Sequence, residues 1–394
     1  MIRALALASI VALTALAPQA GADALDTARA ARMAQAPQEA ERVLRQALRA
    51  QPDRVDLRFE HGVALAETGR CGAAKRAWAQ AARLSPTQDV ALAVALASRD
   101  LCTPRPSGWE KSLTLRGIAD SNYTNATTAD SITVGGLPFL LSEDAKGQER
   151  YGLDVQGSVG YRYGLSPRAA IVPYVQGGVL ALNSKADSRI RLGAGIDLDL
   201  IGQGWSLRAG PVARGEWDMD GDWVSRYVGL QAFGAIDLDP RNALTLSLAA
   251  GRLTHANPLD SGDRWNAEAA WIHRFDHERA LRVALALAQA DKAPAHRSER
   301  ETRLSVSYTT PLSPSLGLEL AGSVGRITGG GTHPVFAVTR QDEVASLSAG
   351  LTLRGIETPF GSPTIGLTHT VSRSNIALHT YDKTNLFVAF TRRF

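Results

Sequence analysis

Cysteine and methionine are scarce in this chain, at 2 and 3 of 394 residues, and aromatic residues make up only 6%. Two cysteines cannot form a disulfide-rich scaffold, and zinc-type ligand spacing, phosphate-binding glycine loops and nucleotide motifs are also missing. The charge has no dominant sign: 43 Lys+Arg against 39 Asp+Glu leave a formal +4. No Lys/Arg-rich run accompanies it, which gives no support to nucleic-acid binding. Past the first 20 or so residues the longest apolar stretches, such as Ala91 to Ala97, fall far short of the roughly 20 residues a membrane helix needs. Helical membrane proteins are excluded. Membrane barrels are not, because their alternating strands never read as hydrophobic on average, and the mean hydropathy here is −0.11.

The N-terminus has an early Arg3, an apolar run from Ala4 to Leu16, a helix-breaking Pro18 and the small-residue string Ala20-Gly21-Ala22. This pattern predicts a secretory signal peptide over residues 1–22. No cysteine follows the cut, so the mature N-terminus would not carry a lipid. Export implies an oxidising space, where Cys71 and Cys102 either form a disulfide or stay as two buried thiols.

Residues 23–102 contain a repeat. Ala40, Ala47 and Pro52 recur as Ala74, Ala81 and Pro86, each displaced by 34 residues. Gly62 takes the small position of one helix and Trp78 the large aromatic position of the next. A 34-residue period of this kind predicts tetratricopeptide-like helical pairs. Such pairs either grip a peptide or protein, or serve only as a cap. Pro104 and Pro106, followed by Gly108, cannot continue a helix, which puts a linker at 103–108.

Beyond Trp109 the period becomes two. Ile190, Leu192, Ala194, Ile196, Leu198 and Leu200 share one face, with Arg191, Asp197 and Asp199 on the other; Leu244, Leu246 and Leu248 alternate with Thr245 and Ser247 in the same way. Six short turns interleave with seven mostly longer polar loops, among them 120–148, 254–264, 327–342 and 375–384. The count predicts 14 antiparallel strands over 109–394, an all-β transmembrane barrel behind a small all-α domain, with both ends on the turn side. Trp109, Tyr151, Tyr161, Tyr163, Trp205, Trp217, Trp223, Tyr227, Trp265, Phe275 and Tyr308 fall near expected strand ends, suited to lipid headgroups. The last strand, with Phe390 and the terminal Phe394, resembles the tag read by the barrel-assembly machinery. Arg392 departs from the usual apolar residue there.

Strand parity sends Arg116, Asp154, Arg162, Arg191, Asp197, Asp199, Arg208, Arg214, Glu216, Arg282, Arg303, Glu319 and Arg354 inward, a mixed lining suited to polar cargo. A 14-stranded lumen is too wide to be filled by its wall residues alone. His255, Asp260, Ser261 and Asp263 share a loop, and His273 and His277 flank a turn, but neither group matches a catalytic arrangement. No enzymatic activity and no cofactor are expected.

Two polar strings resemble each other. Asp120-Ser121-Asn122 follows the first strand; Arg373-Ser374-Asn375 and Tyr381-Asp382 precede the last, which ends Arg392-Arg393-Phe394. With the signal peptide, the repeat and the barrel, these strings resemble the surface lipoprotein assembly modulator (Slam) family over essentially the whole mature chain. The resemblance implies a translocator in the outer membrane of Gram-negative bacteria, with its helical domain in the periplasm. Its protein cargo would be a surface lipoprotein or a secreted relative with a β-rich C-terminal handle domain, often involved in iron or haem capture. A periplasmic chaperone is the other implied partner. The helical region is shorter than is usual for the family.

First and last strands are neighbours in a closed barrel, so Asp120, Ser121, Asn122, Ser374 and Asn375 would lie beside the closing seam. There they would either loosen it for cargo strands or act only as Asx turns that end strands. The competing readings are a passive or polysaccharide-conducting porin with a periplasmic docking repeat, and a soluble periplasmic scaffold.

Overall fold

A computed structural model describes residues 22–394 apart from Gln35 and Gly135, so the expected signal peptide lies, but for Ala22, outside the described residues. The chain divides into a helical unit ending at Pro104 and a barrel unit from Arg105 to Phe394.

The helical unit holds α1 (Ala22–Met33), α2 (Pro37–Ala50), α3 (Val55–Glu67), α4 (Cys71–Leu84) and α5 (Gln88–Cys102). None of the described helices is long and apolar enough to cross a membrane. Gly62 of α3 and Trp78 of α4, read from the repeat as its small and large aromatic positions, are in contact. A Cβ at Gly62 would overlap the indole, and the fully buried Trp78 donates its Nε1–H to the Phe59 carbonyl at 3.1 Å. One apolar cluster centres on Val63, Leu65, Ala74 and Trp78, a second on Leu25, Leu44, Leu57 and Ala64. Between helices, Arg29 and Arg32 converge on the buried Glu60 at 2.9 and 2.6 Å. Cys71 and Cys102 are bonded, so the first turn of α4 is stapled to the end of α5.

The barrel unit begins with β1 (Gly108–Asp120), then a small separate hairpin of β2 (Ser131–Val134) and β3 (Leu137–Leu140). Next come β4 (Arg150–Ser166), β5 (Ala169–Leu182), β6 (Arg189–Gly202), β7 (Trp205–Trp217), β8 (Trp223–Asp237) and β9 (Asn242–His255). The chain continues with β10 (Gly262–Arg274), β11 (Ala280–Lys292), β12 (Glu299–Ser313), β13 (Leu316–Thr332), β14 (Thr339–Leu353), β15 (Thr364–Ser374) and β16 (Tyr381–Arg393). All but the hairpin form one closed antiparallel barrel of 14 strands, sealed where β1 pairs with β16. Six turns lie on one rim and seven loops on the other, in the expected interleaving.

The boundaries differ from the sequence reading in several places: the loop expected over 375–384 is only 375–380, so Tyr381 and Asp382, read as preceding the last strand, open β16, and the loop expected over 254–264 is only 256–261. β13 and β14 run on to Thr332 and from Thr339, so the loop expected over 327–342 is only 333–338. The longest turn, 354–363, lies on the turn rim, which softens the expected length bias. The stretch read as a linker is also partly barrel: the Arg105 amide donates to Ser166 at 3.0 Å, and its guanidinium reaches Asp199 at 3.0 Å.

The wall is inverted relative to a soluble core. Leu153, Leu192, Leu230, Leu246, Val324 and Leu347 stand exposed on the outer face, Leu347 by 69%. Leaving this much leucine uncovered is stable only if something other than water meets it, and a hydrocarbon layer does. Around the turn rim an aromatic girdle runs through Trp109, Tyr161 and Tyr163, and again through Trp271, His273, Phe275 and Tyr308, with centroids 4.5 to 6.1 Å apart.

Candidate functional site at the lumen and the closing strand

The lumen is polar and carries both signs. Arg191 pairs with Asp154 at 2.8 Å, Arg282 with Glu268, and Arg303 with Glu301. Near the turn rim Asp199 gathers Arg105 and Arg208 at 3.0 and 3.1 Å, while Glu110 holds Arg162. These pairs satisfy one another within a strand, between neighbouring strands or across one intervening strand, so charges of both signs alternate along the wall. Cavities of about 640, 460 and 440 Å³ run together along it, sharing Arg214, Glu216, Asn266 and Glu301 as walls.

Two residues depart from the expected parity. Tyr227, read as a headgroup anchor, lines the lumenal cavity of about 640 Å³ because it lies well inside β8 on the same face as Ser225 and Gln231. Arg354, read as lumenal, follows the end of β14 and bridges to Glu278 of another turn at 2.6 Å. The sequence reading also missed Tyr174, whose hydroxyl accepts from Gln231 at 2.8 Å and lies where a Cβ on Gly195 would collide. A glycine opposite an inward aromatic was the available signal.

Asp120, Ser121 and Asn122 gather on β16. The Asp120 carboxylate, 6% exposed, accepts from the Asn122 amide at 2.9 Å, from Asn385 at 3.2 Å and from Lys383 at 3.4 Å. Ser121 donates its backbone N–H to the Thr384 carbonyl at 3.0 Å, and its hydroxyl accepts from the Thr384 amide at 2.8 Å. Asn122 folds its amide onto Ala126 and reaches the Asp382 carbonyl at 3.5 Å. On the lumen side the Arg116 guanidinium lies 4.3 Å above the Phe387 ring.

Ser374 and Asn375 lie on the other flank of the same hairpin. Asn375 accepts from the Gln341 amide at 2.8 Å and donates to the Thr339 carbonyl at 2.8 Å, tying the loop to β14 and not to β1. Arg373 and Asp382 pair at 3.1 Å across the hairpin, with Tyr381 beside them at the start of β16. The two Ser-Asn elements therefore clamp opposite sides of one hairpin. Their polar groups are bonded and, at Asp120 and Asn122, buried.

What distinguishes β16 is the length of its ladders. It pairs over nine residues with β1 and nine with β15, whereas the other barrel ladders run from 11 to 14. Beyond the nine pairs with β1, the Ser121 amide donates to Thr384, and Lys111 and Phe394 exchange backbone bonds at 2.9 and 3.4 Å, so the seam is short within the strands and extended at both ends. Phe390 and Phe394 stand on its outward face with Leu386 and Val388, and Arg392 stacks 4.9 Å from the Phe394 ring.

Ser374 also belongs to a recurring loop design. In four loops a 3-10 turn precedes a Ser or Thr whose hydroxyl takes the amide six residues back: Ser188 to Leu182, Ser261 to His255, Ser298 to Lys292 and Thr380 to Ser374, at 2.8 to 3.1 Å. The same design engages the residues searched for catalysis. Ser261 is bonded to the His255 backbone, His255 Nδ1 accepts from Asn257, and Asp260 pairs with Arg297 at 3.0 Å. Among the described residues no cluster of three or more His, Cys, Asp or Glu could hold a metal ion.

No family model and no curated protein sequence matches this chain. Among solved structures it is similar to a FadL homologue of Pseudomonas aeruginosa, at 10% identity and a TM-score of 0.40 over 72% of this chain and 90% of that one. It is also similar to the outer-membrane channel DcaP of Acinetobacter baumannii, at 9% identity and TM-score 0.42 over 73% and 97%. A third is an anion-selective porin from Comamonas acidovorans, at 11% identity and TM-score 0.40 over 73% and 99%.

Proposed function

We propose that this chain is an outer-membrane translocator that delivers a protein, a surface lipoprotein or a secreted relative with a β-rich C-terminal handle, to the cell surface. The observation that carries the reading is the convergence of the Slam-like strings on one strand. Asp120, Ser121, Asn122, Arg373 and Asp382 all act on β16, which also has the shortest ladders of the wall. Parting two strands in lipid leaves backbone groups without partners, so the shortest ladders cost least to open. A cargo strand could pair with the freed edge, and folding of the cargo outside would supply the driving force. The helical unit would face a chaperone or cargo in the periplasm, and the outward Phe390 and Phe394 would face the barrel-assembly machinery.

A covalent lock tests this. Gly117 and Val388 are register partners on the outer face of the seam, and Gly117 leaves room for a side chain. Gly117→Cys with Val388→Cys, oxidised, should abolish protease-accessible cargo on intact cells co-expressing the adjacent gene. The same lock at Gly234 and Leu246 between β8 and β9 should leave export intact. Export that survives the seam lock would overturn lateral opening. A purified barrel that conducts small solutes and exports no neighbouring gene product would favour the porin reading, which the mixed-charge lumen also suits.

A further inference from the structure

The helical unit carries a charged trough that the barrel's function does not use. It lies between α2 and α4, is floored by α3, and has a volume of about 390 Å³, within the range of small-ligand sites. Five arginines line it, Arg45, Arg49, Arg58, Arg70 and Arg76, against the single carboxylate of Glu41.

Glu41 shows how the trough takes a carboxylate. It is 4% exposed, and Arg70 grips both of its oxygens at 3.0 and 3.1 Å while Arg45 holds it from the next turn of α2. Two parallel N–H···O bonds from a planar guanidinium are the geometry in which arginine binds carboxylates most strongly. Glu41 engages Arg45 and Arg70 and leaves three cations over. Arg58 bonds only neutral groups, the Pro52 carbonyl and Gln80, and no carboxylate among the described residues pairs with Arg49, Arg58 or Arg76. At the floor His61 buries Nε2 with no hydrogen-bond partner. Leu48, Leu65, Ala73 and Ala77 supply the apolar part of the lining.

We propose that this trough binds an acidic peptide segment of a partner protein, with carboxylates on Arg49 and Arg76 and the peptide's apolar atoms over Leu48. Unpaired guanidinium groups beside an apolar floor match a chain carrying both charge and carbon, which a free inorganic anion lacks. The site is independent of what passes through the barrel.

The test uses the full-length mature protein in neutral detergent and a fluorescent glutamate-rich peptide, read by anisotropy. Binding should be saturable and at least about tenfold tighter than that of the glutamine counterpart, and should weaken steeply as salt screens the charges. Arg49→Gln with Arg76→Gln should lower affinity by about tenfold or more, since each change removes one charge-assisted contact. Lys75→Gln with Arg83→Gln, cations of α4 outside the trough, should leave affinity unchanged. Equal binding of the glutamine peptide, indifference to the Arg49/Arg76 pair, or displacement of the peptide by anionic phospholipid vesicles but not by neutral ones would overturn the proposal.

Discussion

The two units of this chain solve burial in opposite senses. In the helical unit Trp78, Leu44 and Leu57 are sealed inside and arginines cover the surface. In the barrel the leucines stand outside and the paired charges face a wet interior. One sequence thus obeys two burial rules, and the period of its apolar residues, near 3.6 before Thr103 and two after Gly108, decides which one applies.

The largest effect that would sharpen this contrast is Trp78→Ala. It should cost the helical unit about 3–5 kcal/mol through the cavity beside Gly62, seen as early loss of helical circular dichroism while the strand signal persists. Simultaneous loss of both signals would break the contrast.

Neighbouring positions on β9 test the barrel's rule. Leu248→Arg places a charge on the lipid face near mid-wall and should cost about 2–4 kcal/mol, whereas Ser247→Arg, one residue away on the lumen face, should be nearly neutral. Denaturant titrations in bilayers that give equal losses would mean the wall faces are misassigned. Reduction of the Cys71–Cys102 bond should cost about 2–4 kcal/mol in the helical unit alone, because it frees a loop spanning a sequence separation of 31, and limited proteolysis would register it.

Asp120→Ala is smaller and local. It strands the Asn122 amide, Lys383 and Asn385, about 1–3 kcal/mol, and should lower the temperature at which unboiled barrel shifts to the unfolded band on a denaturing gel.

The smallest effect is a pH slope. Burial pushes His61 below its usual value, with Arg45, Arg70 and Arg58 adding to the push and Glu41 opposing it. A depressed histidine favours the neutral ring in the folded state, so its contribution is complete above about pH 6.5 and fades as acid protonates it. His61→Gln should flatten that part of the helical unit's pH dependence; an unchanged slope would assign it to other groups.

Much of this was legible from periodicity. The switch at 103–108, the strand number and the outward leucines follow from spacing alone, because spacing fixes which side chains share a face. The partners of a clamp were not. Nothing local tells Asn375 to bond Thr339 and Gln341 of β14, or Asp120 to bond Asn385, since those contacts exist only after the sheet closes. The four hydroxyl-stapled loops were readable in principle, as a Ser or Thr six residues past each strand end, but each looked like an ordinary polar loop. That shared design also separates the candidate residues: Ser374 occupies a position equivalent to Leu182, His255 and Lys292, whereas Asp120 and Asn122 have no counterpart in those other loops.

The stapled loops have one more consequence. Hexapeptides tied at both ends make a stiff parapet around most of that opening, with little to grasp and little freedom to change shape. The excursion over 121–149 is different: its β2–β3 hairpin leaves Leu137, Phe139 and Leu140 bare. Antibodies, phage or neighbouring proteins arriving from that direction would find their adhesive foothold there, and mutational escape should concentrate in that one stretch of chain.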